Sequence, residues 1–143
     1  MRPISWKAIV AGGFLDILLT GLFSFSIGVY AATKIRAWTL LGAQRDQATV
    51  VFALHILVGS LSSVAAGYVA ARIARHHAVL HGALSAWLCV ACGVYALIAG
   101  HESTPQWSHL LFPPISPALG AIGGYLWNIR NQGSGSPTPA PAA

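Results

Sequence analysis

Three groups of side chains have types and spacings that can do chemistry. The first is Asp16, in "GGFLDILLTG", one of three acidic residues among 143. A carboxylate amid Phe, Leu and Ile is costly unless it is neutral or hydrogen-bonded. Inside a membrane such a group marks a proton or ion path, or else serves structurally, bonded to hydroxyls such as Ser60, Ser62 or Ser63. No second acid falls inside an apolar run, so a carboxylate relay is hard to build. The second group is Cys89 and Cys92, "CVAC", which fits membrane thiol chemistry. Flanked by Leu88, Val90 and Ala91 and with no other cysteine to pass electrons on, the pair reads better as buried small packers. The third group is histidine. "ARHHAVLHG" sets Arg75, His76 and His77 beside His81. His77 and His81 are four apart, a spacing that suits a metal, but no acid or thiol nearby completes a set. With Arg72, the cluster reads as a basic junction against anionic lipid headgroups. His55 and His109 lie on different apolar runs and are weak candidates for holding a haem between them; contact with water or a backbone carbonyl is the plainer reading.

No Walker loop, nucleophile elbow, paired carboxylates or specific metal motif occurs. The residues therefore point to a non-enzymatic protein with no cofactor. Two rival readings are a proton- or ion-linked channel or transporter using Asp16, and a thiol oxidoreductase using Cys89 and Cys92.

The elements that hold these residues must cross lipid. The chain is 55% hydrophobic and 8% charged, against about 25% charged in a soluble domain. Eight Lys/Arg and three acids cannot cover a water-facing surface. The pI near 9.8 comes from scattered basic residues, which excludes a phosphate-tracking nucleic-acid face. Four apolar runs, at about 6–30, 49–71, 78–100 and 107–129, each reach the ~20 residues that span a bilayer. They are continuous rather than alternating, so helices are expected. Pro113, Pro114 and Pro117 are expected to kink or delay the fourth. "VYA" at 29–31 resembles a signal cleavage site, but the run before it exceeds the 7–15 residues of a signal core, so the first run is expected to stay. Between the first two runs, Trp38, Leu40 and Leu41 beside Lys34 and Arg36 suit either a short interfacial helix or an ordinary loop. Residues 131–143, rich in Gly, Ser, Pro and Ala, are expected to be a disordered tail.

Lys/Arg placement sets the expected orientation. Arg2, Lys7, Arg72, Arg75 and Arg130 share one side, against Lys34, Arg36 and Arg45 on the other, which favours cytoplasmic termini.

Helices in lipid associate through small residues. The second run repeats Gly59, Ser63, Gly67 and Ala71, beside a row of Ser62, Ala66, Ala70 and Ala74. The fourth has Gly120 and Gly124, and the third Gly82, Ala86 and Gly93. The first repeats Gly12, Asp16, Thr20, Ser24 and Gly28 every fourth residue, which is one helix face. Asp16 thus belongs to a small polar stripe expected to face the second run near Ser60 to Ser63. The expected fold is an all-α membrane protein, a four-transmembrane-helix bundle with short loops. Its partners are the lipid bilayer and, through packing, a second copy or a larger membrane complex, not nucleic acid.

The stretch "GSLSSVAAGYVAARIARHHAVLHGALSAWL" (59–88) and the closing "GAIGGYLWNIR" resemble small bacterial four-helix integral membrane proteins of no established activity. The resemblance implies a four-helix fold in the bacterial cytoplasmic membrane and carries over no functional residue.

Overall fold

The computed structural model describes residues 4–40, 44–98 and 106–132, with side chains for 4–34, 49–95, 98 and 115–131. The described elements are four helices: α1 (Trp6–Leu40), α2 (Gln44–Ala74), α3 (Ala78–Ile98) and α4 (Gln106–Gln132). Long apolar runs form helices because only there does each backbone N–H and C=O find a partner without water. Trp6–Lys34, Thr49–Ala74 and Ala78–Tyr95 are long and apolar enough to cross a membrane. Among the described residues α4 supplies no such segment. Of the expected four-span bundle, the structure therefore supplies four helices and three candidate spans.

Two local expectations are corrected. The segment after Tyr30 is no separate interfacial helix or loop; α1 continues through it to Leu40, and α2 begins at Gln44. "AATKIRAWTL" contains neither Gly nor Pro, so nothing stops the helix before Gly42. At 35 residues α1 is about 52 Å long, well beyond a ~30 Å hydrocarbon layer. At the prolines, where a kink or a delay is expected, the delay is not seen: α4 begins at Gln106 and is helical through Pro113, Pro114 and Pro117.

The start of α1, the end of α2, the start of α3 and the end of α4 gather at one end of the molecule. There the Ser5 N–H reaches His81, and Gly124 lies against Ala78. α2 and α3 touch each other and both flanking helices, while α1 and α4 make no mutual contact among the described residues. α2 and α3 are therefore the central pair.

The interior is small and polar. Ala8, Ala66, Ala70, Ala71 and Ala86 are fully buried, and the largest fully buried side chains are His81, Asp16 and Ser85. Large apolar residues such as Trp6, Phe14, Phe25 and Tyr95 face outward. In water this distribution would expose an extended apolar surface; in lipid it is what close helix packing requires. At Gly120 three backbones converge, because a Cβ on either Gly67 or Gly82 would collide with the Gly120 carbonyl oxygen.

A tight turn joins α2 to α3. The Arg75 N–H donates to the Ala71 carbonyl at 3.0 Å. Arg75 (φ 57°) and His77 (φ 46°) both adopt the left-handed conformation, which for residues with a Cβ costs about 1–2 kcal/mol each.

Candidate functional site

The site begins with helical periodicity. Gly12 and Asp16 share the inward face of α1, and the lack of a side chain at Gly12 lets that face close. A Cβ there would lie 2.7 Å from Ala70 Cβ and 2.9 Å from Ser85 Cβ. One turn on, Asp16 is 0% exposed. Ser63 Oγ of α2 lies 3.1 Å from its Oδ2 and 3.3 Å from its Oδ1. Thr20 Oγ1 lies 3.5 Å from Oδ1, a long contact. Ser63 Oγ is also 3.3 Å from Ser116 Oγ of α4. Since a hydroxyl has one proton, a Ser63 that donates to Asp16 must accept from Ser116. The result is a chain of four oxygen-bearing side chains drawn from three helices, Thr20–Asp16–Ser63–Ser116.

This arrangement can bind helices together and can pass a proton between oxygens. It has no nucleophile poised beside a base. Among the described residues, no buried side-chain nitrogen or oxygen lacks a hydrogen-bond partner.

The expected stripe is only partly interior. Gly12 and Asp16 are buried and Thr20 and Ser24 half-buried, whereas Gly28 is exposed, with nothing within 4 Å of an added Cβ. Gly59 likewise has open space around it, although Ser63, Gly67 and Ala71 of the same row are buried. Gly120 and Gly124 are packed. Gly13 and Gly123 also make close backbone contacts. Spacing analysis missed them because each lies one residue off a row of four.

His81 is the second interior group. Its Nδ1–H donates to the His77 carbonyl at 3.1 Å, and its Nε2 accepts the Ser5 N–H at 3.0 Å. Ser5 in turn accepts from the Ala8 and Ile9 N–H groups at the start of α1. The imidazole therefore takes the role that a Glu or Gln three residues into the helix plays in a capping box, supplied from another helix. Both ring nitrogens are engaged, so the His77/His81 spacing leaves no lone pair on His81 for a metal.

At the same end Arg72, Arg75 and His77 are exposed and His76 is half-buried. The His76 ring meets those of His77 and His81 edge-on, with centroids 5.6 and 5.0 Å apart. His55 Nδ1 lies 2.8 Å from the Val51 carbonyl, an ordinary contact within one helix turn. The His109 side chain lies outside the described residues, so the haem pair cannot be assembled from them. Cys89 is half-buried and Cys92 exposed, both as free thiols; Cys92 therefore does not pack in the interior as expected, because it falls on the outward face of α3. Comparison with protein-family models, curated proteins and solved structures returns no match.

Proposed function

We propose that this chain is a small multi-pass membrane protein that acts without catalysis, as an accessory or structural subunit built for helix packing. In this reading α4 crosses the bilayer alongside the three candidate spans. Both termini are cytoplasmic in a bacterial inner membrane, and the partner is another membrane protein or a second copy. The observation that carries the reading is the enclosed setting of Asp16 between α1 and α2, hydrogen-bonded to Ser63 and Thr20. A carboxyl group satisfied by neighbouring hydroxyls stabilises a particular helix arrangement and needs no substrate. The glycine convergence at Gly67, Gly82 and Gly120 supports the same view.

The rival, proton or ion passage through Asp16, draws support from the Thr20–Asp16–Ser63–Ser116 chain, which gives a proton successive oxygens across three helices. Reconstitution in liposomes separates the two. The packing reading expects the same proton and cation flux in wild type, Asp16→Asn and protein-free vesicles. It also expects Asp16→Ala to unfold more easily in micelles than Asp16→Asn. Wild-type flux abolished by Asp16→Asn would replace it with the transport reading.

A further inference from the structure

The end of the molecule at which α2 and α4 finish has a groove of about 550 Å³ lined by Arg72, Ile73, Arg75, Trp127 and Asn131. Three features of it converge on one ligand chemistry. The first is charge. Arg72 and Arg75 present two permanent cations with fork-shaped donors, and the Asn131 amide adds two further N–H groups. Among the described residues no carboxylate lines the groove, and Asp16 is enclosed within the bundle. The second feature is depth. Arg72 closes the apolar Thr49–Ala74 span, and Trp127 is half-buried one turn before the polar end of α4. Indole rings favour the headgroup level of a bilayer, and Ile73 gives the groove an apolar wall. The third feature is backbone. Position 75 ends α2 in the left-handed conformation, where glycine is the usual occupant. Arginine stands there at a conformational cost, and backbone strain of this kind collects at ligand sites.

We infer that the α2–α4 groove is a binding site for the phosphate of an anionic phospholipid, with Arg72 and Arg75 gripping the phosphate oxygens, Asn131 donating beside them and Trp127 lining the headgroup level. A bidentate guanidinium pair suits a tetrahedral oxyanion. Both arginines sit at the C-terminal end of α2, whose negative dipole end offsets part of their charge, so the attraction for an anion rests on the two guanidinium groups themselves. The inference is independent of the role of Asp16.

The test uses the full chain in a neutral detergent, with phosphatidylglycerol, phosphatidylcholine and inorganic phosphate as separate probes, read by native mass spectrometry and by thermal protection. Phosphatidylglycerol should bind in a one-to-one complex that survives detergent, and phosphatidylcholine should not. Arg72→Gln/Arg75→Gln should weaken phosphatidylglycerol roughly thirtyfold, given about a tenfold-or-less contribution per basic residue at a charged surface. Lys7→Gln, which removes a cation from the same end of the molecule but outside the groove, should change binding less than about threefold by the same measure. The single variant Arg72→Gln leaves the strained turn untouched and should show about half of the double variant's effect on the logarithmic scale, which keeps the test valid if the double variant misfolds. Equal binding of the two lipids, or equal weakening by Lys7→Gln and Arg72→Gln, would overturn the site. Displacement of bound lipid by millimolar inorganic phosphate alone would show a soluble phosphate site and overturn the lipid assignment.

Discussion

Asp16 and His81 are the two large groups that this small-residue interior fully encloses, and each is held by named donors and acceptors. Removing one of those partners leaves a buried atom without its hydrogen bond, an effect worth about 1–3 kcal/mol and nearer 1 in a membrane interior. Ser63→Ala is therefore expected to lower unfolding stability in mixed micelles by about 1–2 kcal/mol. Ser24→Ala, on the same helix face as Asp16 but only half-buried, should stay within about 0.5 kcal/mol. His81→Phe keeps the ring volume and loses the acceptor for the Ser5 N–H. It should destabilise by about 1–2 kcal/mol, with hydrogen exchange accelerating first at the N-terminal turn of α1. Unchanged exchange there would show that the cap is not held by His81.

Among the helices, packing is decided by where backbones come close. A methyl group at Gly67 or Gly82 would strike the Gly120 carbonyl, whereas one at Gly28 or Gly59 would enter open space. Gly67→Ala is thus expected to force α2 and α4 apart, with a cost of about 1–3 kcal/mol for overpacking. Gly28→Ala and Gly59→Ala should be neutral or stabilising by up to about 1 kcal/mol, since alanine is the better helix former. Measured side by side in the same detergent, the two classes should differ in sign or by more than 1 kcal/mol. The α2–α3 turn gives a complementary prediction. His77 holds φ 46°, so His77→Gly should relieve strain and raise stability by about 1 kcal/mol. A loss of stability would mean that the ring contact with His76 outweighs that strain.

For the whole molecule, the start of α1 and the end of α4 lie at one end. With Cys89 and Cys92 replaced by Ser, the variants Ile4→Cys and Asn131→Cys should both react with an impermeant thiol reagent from the same side of sealed membrane vesicles. Labelling from opposite sides would mean that α4 does not run across the bilayer beside α3.

Much of this organisation follows from sequence because a membrane leaves a chain few choices. Continuous apolar runs must become helices, and scarce charges must sit at their edges. Spacing by four placed Gly12 and Asp16 on one face and directed that face toward the second run near Ser60 to Ser63, of which Ser63 is the hydroxyl that meets the carboxyl group. What spacing cannot supply is how far such a face stays in contact. Gly12 and Gly28 are indistinguishable as letters, yet one lies against Ala70 and Ser85 and the other meets nothing within 4 Å, because helix separation is a property of all four helices together. The same holds for Gly13 and Gly123, one residue outside the visible rows, and for Cys92, which the helix rotation turns outward. His81 is the clearest case. As a letter it paired with His77 as a metal spacing, but its ring nitrogens are engaged by the His77 carbonyl and by a backbone N–H from a residue 76 positions away. Sequence alone determined an all-helical chain with segments long and apolar enough to cross a membrane and a polar face on its first helix. Only the tertiary structure decided which small residues touch, which polar atoms are satisfied and where a basic groove opens, because each depends on distances between helices that no local pattern encodes.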